Sequence, residues 1–193
     1  MIKTTAMILN ELSDYASPSD KLARMVQEGK YIKIVKGLYE TEKSISGYLL
    51  AESIYGPSYL SFEFALSYHG LIPEAVYAFT SATFEKKKKK KYITPMGTFT
   101  YRDIPSSAYA YGVDIVSEGD YSYKIATAEK ALCDQLYKTK TVANYKELQA
   151  LLFDDLRIDK EELQKINQED VAMLAEKYGS TNVKKFSRML RRM

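Results

Sequence analysis

The chain has 193 residues, of which 46% are hydrophobic and 27% charged, a balance that supports a packed core and excludes a disordered chain. That length fits one large domain or two small ones. The net charge of +3 hides strong segregation: residues 84 to 102 carry +6, residues 103 to 179 carry −6 and residues 180 to 193 carry +5, a clustering that suits a nucleic-acid footprint.

At the N-terminus Ile8, Leu9, Leu12 and Tyr15 recur at helical spacing and predict a first helix from about Thr4 to Asp14. The run Ser17-Pro18-Ser19-Asp20 reads as a second helix start, with Ser17 as N-cap, Pro18 at the first helical position and Asp20 closing a capping box. That helix buries Leu22, Met25 and Val26, turns Lys21, Arg24 and Gln27 outward, and stops at Gly29. Tyr31 to Val35 alternates as a strand, Lys36-Gly37 is a turn, and Leu38 to Glu40 returns.

Two helices and a short basic hairpin predict a winged helix-turn-helix. In such a unit the helix before the hairpin enters the major groove and the wing follows the backbone. Arg24 then suits a guanine edge and Gln27 an adenine edge, while Lys21, Lys30, Lys33 and Lys36 suit phosphates, with Ser17 and Ser19 at the helix start. A plainer reading has the same residues as a packing module with a solvated basic face.

Residues 41 to 46 carry only Ile45 as a large apolar residue and mark a boundary between domains at 1–45 and 46–193. Gly47 to Tyr55 reads as a helix stopped by Gly56-Pro57, and Ser61 as the cap of another running through Tyr68 to Gly70. From Val76 to Tyr123 and just beyond, strand patterns dominate: 76–84, 98–102, 112–116 and 121–125. Short connections there predict a mainly antiparallel sheet of about four strands.

From Thr127 the pattern is helical again. Ala128 to Tyr137 buries Ala131, Leu132, Leu136 and Cys133; Asn144 and Asp159 are N-caps, and Gly179 closes a helix from Gln168. A final helix, Asn182 to Arg192, places Val183, Phe186 and Leu190 inward. The whole reads as α+β: a winged helix followed by a larger mixed α/β domain with a helical C-terminus.

Catalytic chemistry finds little footing. His69 is the single histidine, next to a helix-ending glycine, and reads as a packed or capping residue rather than a general base. One cysteine and one histidine are too few for a zinc site, and neither a GxxxxGK[ST] loop nor a GxGxxG turn occurs. The expectation is a protein that is not an enzyme, with no cofactor and no metal. Asp154-Asp155 and Glu161-Glu162 read as solvated helix surface, whereas the acidic run from 103 to 179 reads equally as a partner-facing patch.

No apolar block suits a signal peptide, no stretch approaches the ~20 apolar residues of a membrane span, and lone Cys133 fits a reducing compartment. The cytoplasm, without a membrane partner, is therefore expected.

Lys86, Lys87, Lys88, Lys89, Lys90 and Lys91 form an unbroken run that reads either as an open hairpin tip or as a phosphate-binding one. With Arg102 and the C-terminal Lys184, Lys185, Arg188, Arg191 and Arg192 they make a secondary basic patch. Seventeen tyrosines raise base stacking as a weaker idea, since Tyr59, Tyr68 and Tyr101 sit at core-like or strand positions.

Six short runs bring a known family into view: YLSFEFALSYHGLIPE from Tyr59 to Glu74, FTSAT from Phe79 to Thr83, GTFTYR from Gly97 to Arg102, IATAEKALCD from Ile125 to Asp134, EGK from Glu28 to Lys30 and KGLY from Lys36 to Tyr39. In order and spacing they resemble the AbiEi family of antitoxins. The resemblance implies an antitoxin of a type IV toxin-antitoxin pair, encoded beside a nucleotidyltransferase-like toxin. It also implies that the chain represses its own operon by binding double-stranded operator DNA with inverted repeats. On that reading 1–45 is the DNA-binding domain and 46–193 an AbiEi-like C-terminal antitoxin domain. Two alternatives stand beside it: a protein-interaction module that does not bind DNA, and an RNA-binding regulator.

Overall fold

A computed structural model describes residues 1 to 192 and has an α+β architecture, with a three-stranded and a six-stranded sheet among the described residues. The small sheet belongs to the N-terminal unit, whose elements run β1 (Ile2–Thr4), α1 (Thr5–Glu11), α2 (Pro18–Gln27), β2 (Ile32–Val35) and β3 (Leu38–Glu40). β1 was not legible as a strand; it pairs antiparallel with β3, giving the order β1-β3-β2.

The first helix is shorter than its apolar pattern suggests, and Thr4 caps it by accepting from the Met7 N–H. Tyr15 lies outside it and is exposed. α2 starts at Pro18 as expected, yet Ser17 does not close a capping box: its hydroxyl donates to the Asp20 carboxylate at 2.7 Å, which removes it from the backbone N–H groups. At the other end Gly29 adopts φ +71°. The Lys30 N–H bonds to the Met25 carbonyl and the Gly29 N–H to that of Val26, a Schellman closure of orphan carbonyls.

The two faces of the small sheet have different neighbours. One side, with Tyr31 and Tyr39, packs with Ile8, Leu12 and Leu22 in a cluster of its own, whereas Ile34 and Leu38 join the large core of residues 49 to 190. The N-terminal unit thus rests on the body through the back of its sheet.

The body begins with a 3₁₀ turn (Gly47–Leu50) that runs into α3 (Ala51–Ile54). There follow β4 (Tyr59–Leu60), α4 (Phe62–Tyr68), β5 (Ala78–Thr83), β6 (Lys90–Thr94), β7 (Gly97–Asp103), α5 (Ser106–Tyr109), β8 (Val113–Glu118) and β9 (Tyr121–Ala126). The sheet has six strands rather than four, in the order β6-β7-β5-β4-β9-β8. It is mixed: β5–β7 and β4–β9 pair parallel, the other three pairs antiparallel. The strand patterns at 76–84, 98–102, 112–116 and 121–125 leave out β4 and β6, which complete the six. β6 is an edge strand, where backbone pairing on one side tolerates Lys90 and Lys91, and lysines there oppose unwanted pairing with other chains.

The helical remainder is α6 (Ala128–Lys138), α7 (Tyr145–Ala150), a π turn (Leu151–Asp155), α8 (Lys160–Gln164), α9 (Gln168–Tyr178) and α10 (Thr181–Leu190). Asn144 and Asp159 cap α7 and α8 through their side chains, and Gly179 ends α9 in the left-handed region. Among the described residues no helix is long and apolar enough to cross a membrane.

Candidate nucleic-acid interface

The sequence of α2 decides what it offers to solvent. Leu22 anchors it, Met25 and Val26 are half-buried, and Ser19, Arg24 and Gln27 are exposed. Arg24 and Gln27 are three residues apart and therefore neighbours on the helix surface. Lys21 is half-buried and holds its ammonium 4.7 Å from the centre of the Tyr15 ring, so the exposed Tyr15 props it at the start of the helix.

Ser19, Gln27 and Lys33 come together along a groove of ≈ 470 Å³ whose lining includes Leu9, Ala23 and Tyr39. Lys33 stands on β2 opposite Tyr39 of β3, and Lys36 is exposed in the hairpin turn beside Gly37, whose φ is +87°. Two of the eight expected residues are occupied: Ser17 by Asp20, and Lys30 by an ion pair with Glu28 at 2.8 Å. That hydrogen bond and charge raise the Lys30 ammonium and lower the Glu28 carboxyl.

The secondary basic patch is partly consumed. Arg102 grips Glu63 through both guanidinium nitrogens and stacks 3.9 Å from the centre of the Phe62 ring. Burial pushes the Glu63 carboxyl up, but Arg102, its own backbone N–H and Gln135 together outweigh it and hold the group below its ordinary range. The lysine run is tied at its two ends, while Lys87, Lys88 and Lys89 between β5 and β6 are exposed. Lys86 donates to the Gly56 carbonyl at 3.0 Å, the Lys87 N–H to Asp103, and Lys90 and Lys91 belong to β6.

Lys138, at the end of α6, gives its ammonium to the Asp103 carbonyl at 2.9 Å. Burial lowers its pKa, and the nearby charge of Lys89 lowers it further. The same turn meets the start of α10, where Asn182 donates to the Thr139 and Lys140 carbonyls. Both basic segments therefore lie near the end of α6. On α10, Lys185 spends its ammonium on the Val142 and Ala143 carbonyls, whereas Lys184, Arg188, Arg191 and Arg192 are exposed. Arg192 lies 5.3 Å from the centre of the Tyr145 ring.

Within the body, α6 carries a buried charged pair that its sequence does not mark as interior. Lys130 and Asp134 are fully buried, 3.6 Å apart one turn along α6. Tyr59 and Ser61 donate to Asp134 at 2.9 and 2.6 Å, and Tyr178 donates to its other oxygen. Lys130 donates to the Ala108 carbonyl at 2.7 Å and to the Tyr178 hydroxyl. Burial lowers the Lys130 ammonium and lifts the Tyr59 and Tyr178 hydroxyls well above their usual range, with Asp134 adding to the latter. Ser61 thus spends its hydroxyl on Asp134 and does not cap α4. Cys133, wholly buried, has its thiol pushed up and stays a thiol rather than a nucleophile.

No protein-family model matches this chain, and comparison with curated proteins also finds no match.

His69 occupies the C-cap of α4 and donates its Nε2 hydrogen to the Ala126 carbonyl at 2.7 Å. Tyr59 and Tyr101 are buried, but Tyr68 is 52% exposed and does not belong to the core. Exposed donors on α2 and its hairpin are Ser19, Arg24, Gln27, Lys33 and Lys36, and Lys88, Lys89, Lys91, Lys184, Arg188, Arg191 and Arg192 are exposed on the body.

Proposed function

We propose that this chain is a DNA-binding regulator whose N-terminal unit is a winged helix that reads duplex DNA. The observation that carries the reading is the order β1-α1-α2-β2-β3 with the sheet order β1-β3-β2. It sets a helix, a turn and a second helix before a hairpin, with the exposed Arg24 and Gln27 on the second helix. α1 supplies the supporting helix, since its Ile8 and Leu12 pack with Leu22 of α2. Lys33 and Lys36 follow on the hairpin, where phosphates flank a helix seated in the major groove.

On the AbiEi resemblance, the regulator is the antitoxin of a type IV pair and represses its own operon. Its functional partner is a nucleotidyltransferase-like toxin. Inverted repeats would be read by two copies of the unit.

The test pairs two assays. Fluorescence anisotropy against duplex from upstream of the chain's own gene, with unrelated duplex as control, checks the reader. Co-expression with the product of the adjacent gene checks the antitoxin. Equal binding to both duplexes overturns the first claim, and unrelieved toxicity overturns the second.

A further inference from the structure

The open face of the large sheet at its β6 end forms a groove of ≈ 510 Å³, with Val76 and Ala78 in its lining and Lys89 and Lys91 along one side. Strand register sets Lys91, Thr100 and Thr80 in one row across the face, and Ile93, Thr98 and Ala78 in the next. Ile93 is 80% exposed. A phosphate backbone gains nothing from an apolar floor or from Ile93, and the guanidinium of Arg102 in the groove is already committed to Glu63. A protein surface that carries acids around an apolar side chain matches both the walls and the floor.

The same chain carries such a surface. On α9, Val171, Leu174, Ala175 and Tyr178 turn inward, which leaves Glu169, Met173 and Glu176 exposed on the outer face at helical spacing. We propose that the groove receives this face of a second copy, with Met173 over Ala78 and Ile93 and the two glutamates against Lys89 and Lys91. Lys89, Lys90 and Lys91 at the groove and the exposed Glu169 and Glu176 on α9 give the association its charge complementarity. Each copy holds both halves, so a two-fold pair makes the contact twice and closes, whereas a head-to-tail arrangement forms a ring or a filament. The proposal is independent of what the N-terminal unit reads.

Sedimentation of the full chain at about 50 mM and about 500 mM salt tests it, because exposed charges are screened over that range. The expected result is self-association at low salt that falls to monomer at high salt. Lys89→Glu with Lys91→Glu gives one exposed charge-swap variant, and Glu169→Lys with Glu176→Lys gives the other. Each is expected to be monomeric alone, because it sets like charges together. Mixing the two restores opposite charges at both contacts and is expected to restore the complex. A wild-type chain that is monomeric at both salts overturns the proposal, as does failure of the mixture to associate. Variants that sediment like wild type while the lysine swap loses nucleic-acid binding also overturn it, and assign the groove to nucleic acid.

Discussion

The hydroxyl of Tyr121, on β9 of the large sheet, donates a 3.0 Å hydrogen bond to the buried carboxylate of Glu40 at the end of β3. The same carboxylate accepts from the backbone N–H groups of Thr41 and Glu42. One fully buried acid thus fixes the exit of the N-terminal unit and its seat on the body.

Burial pushes the Glu40 carboxyl up, but hydrogen bonds from the Met1 amino group, Glu42, Thr41 and Tyr121 outweigh it and hold the group below its ordinary value of 4.5. A depressed carboxylate contributes stability that is complete above the ordinary value and is lost as pH falls through the folded one. Tyr121→Phe is expected to cost about 1–3 kcal/mol at neutral pH, since it leaves a buried acceptor short of a donor. Urea titrations of wild type, Tyr121→Phe and Glu40→Gln from neutral to acid pH check this. Glu40→Gln should show the shallowest acid loss; an acid limb unchanged from wild type contradicts the assignment.

Lys130 and Asp134 give an asymmetric prediction. Asp134→Ala leaves a buried ammonium and three hydroxyls without their acceptor, and is expected to cost about 3–5 kcal/mol. Lys130→Met leaves the carboxylate its donors from Tyr59, Ser61 and Tyr178 and is expected to cost less. Denaturation midpoints of the two variants decide it, and equal losses contradict the view that Asp134 is the hub.

The network shows where sequence reading stops. A lysine and an aspartate four residues apart on a helix look like a surface ion pair, and only the packing of α4, α9 and β4 around α6 makes them interior. Local signals fared better: Pro18, Gly29, Asn144, Asp159 and Gly179 mark ends because capping is decided within a few residues. The β8–β9 hairpin was legible from its Glu118-Gly119-Asp120 turn. β1, β4 and β6 were not, since β1 and β4 are too short to show a period and β6 begins inside the lysine run. On α2, the outward set Arg24 and Gln27 was legible from helical spacing, whereas the pairing of Lys30 with Glu28 and of Arg102 with Glu63 depended on rotamers and on long-range contacts.

Gly37 turns the hairpin with φ +87°, a conformation that a side chain strains even though a methyl group there would meet nothing nearer than Thr5 Oγ1 at 4.0 Å. Gly37→Ala is therefore expected to lower stability by about 1 kcal/mol through backbone strain and not through a clash. Thermal denaturation checks the size of the loss, and an unchanged midpoint contradicts it.

Phosphate contacts and base contacts separate by salt. Lys33→Ala and Lys36→Ala are each expected to weaken binding to all duplexes and to lower the slope of log affinity against log salt by roughly 0.9. Arg24→Ala is expected to cost about 1–3 kcal/mol at one site sequence and little on unrelated DNA. Salt titrations on both duplexes distinguish the two classes; uniform losses for Arg24→Ala contradict its role at a base edge.

Selection from a random duplex library with the full chain, followed by anisotropy on the enriched sequence, tests the reader most directly. The expected result is an enriched site bound at least about 10³-fold tighter than random duplex. Arg24→Ala with Gln27→Ala is expected to abolish that preference. No enrichment, or a preference that survives the double substitution, contradicts it.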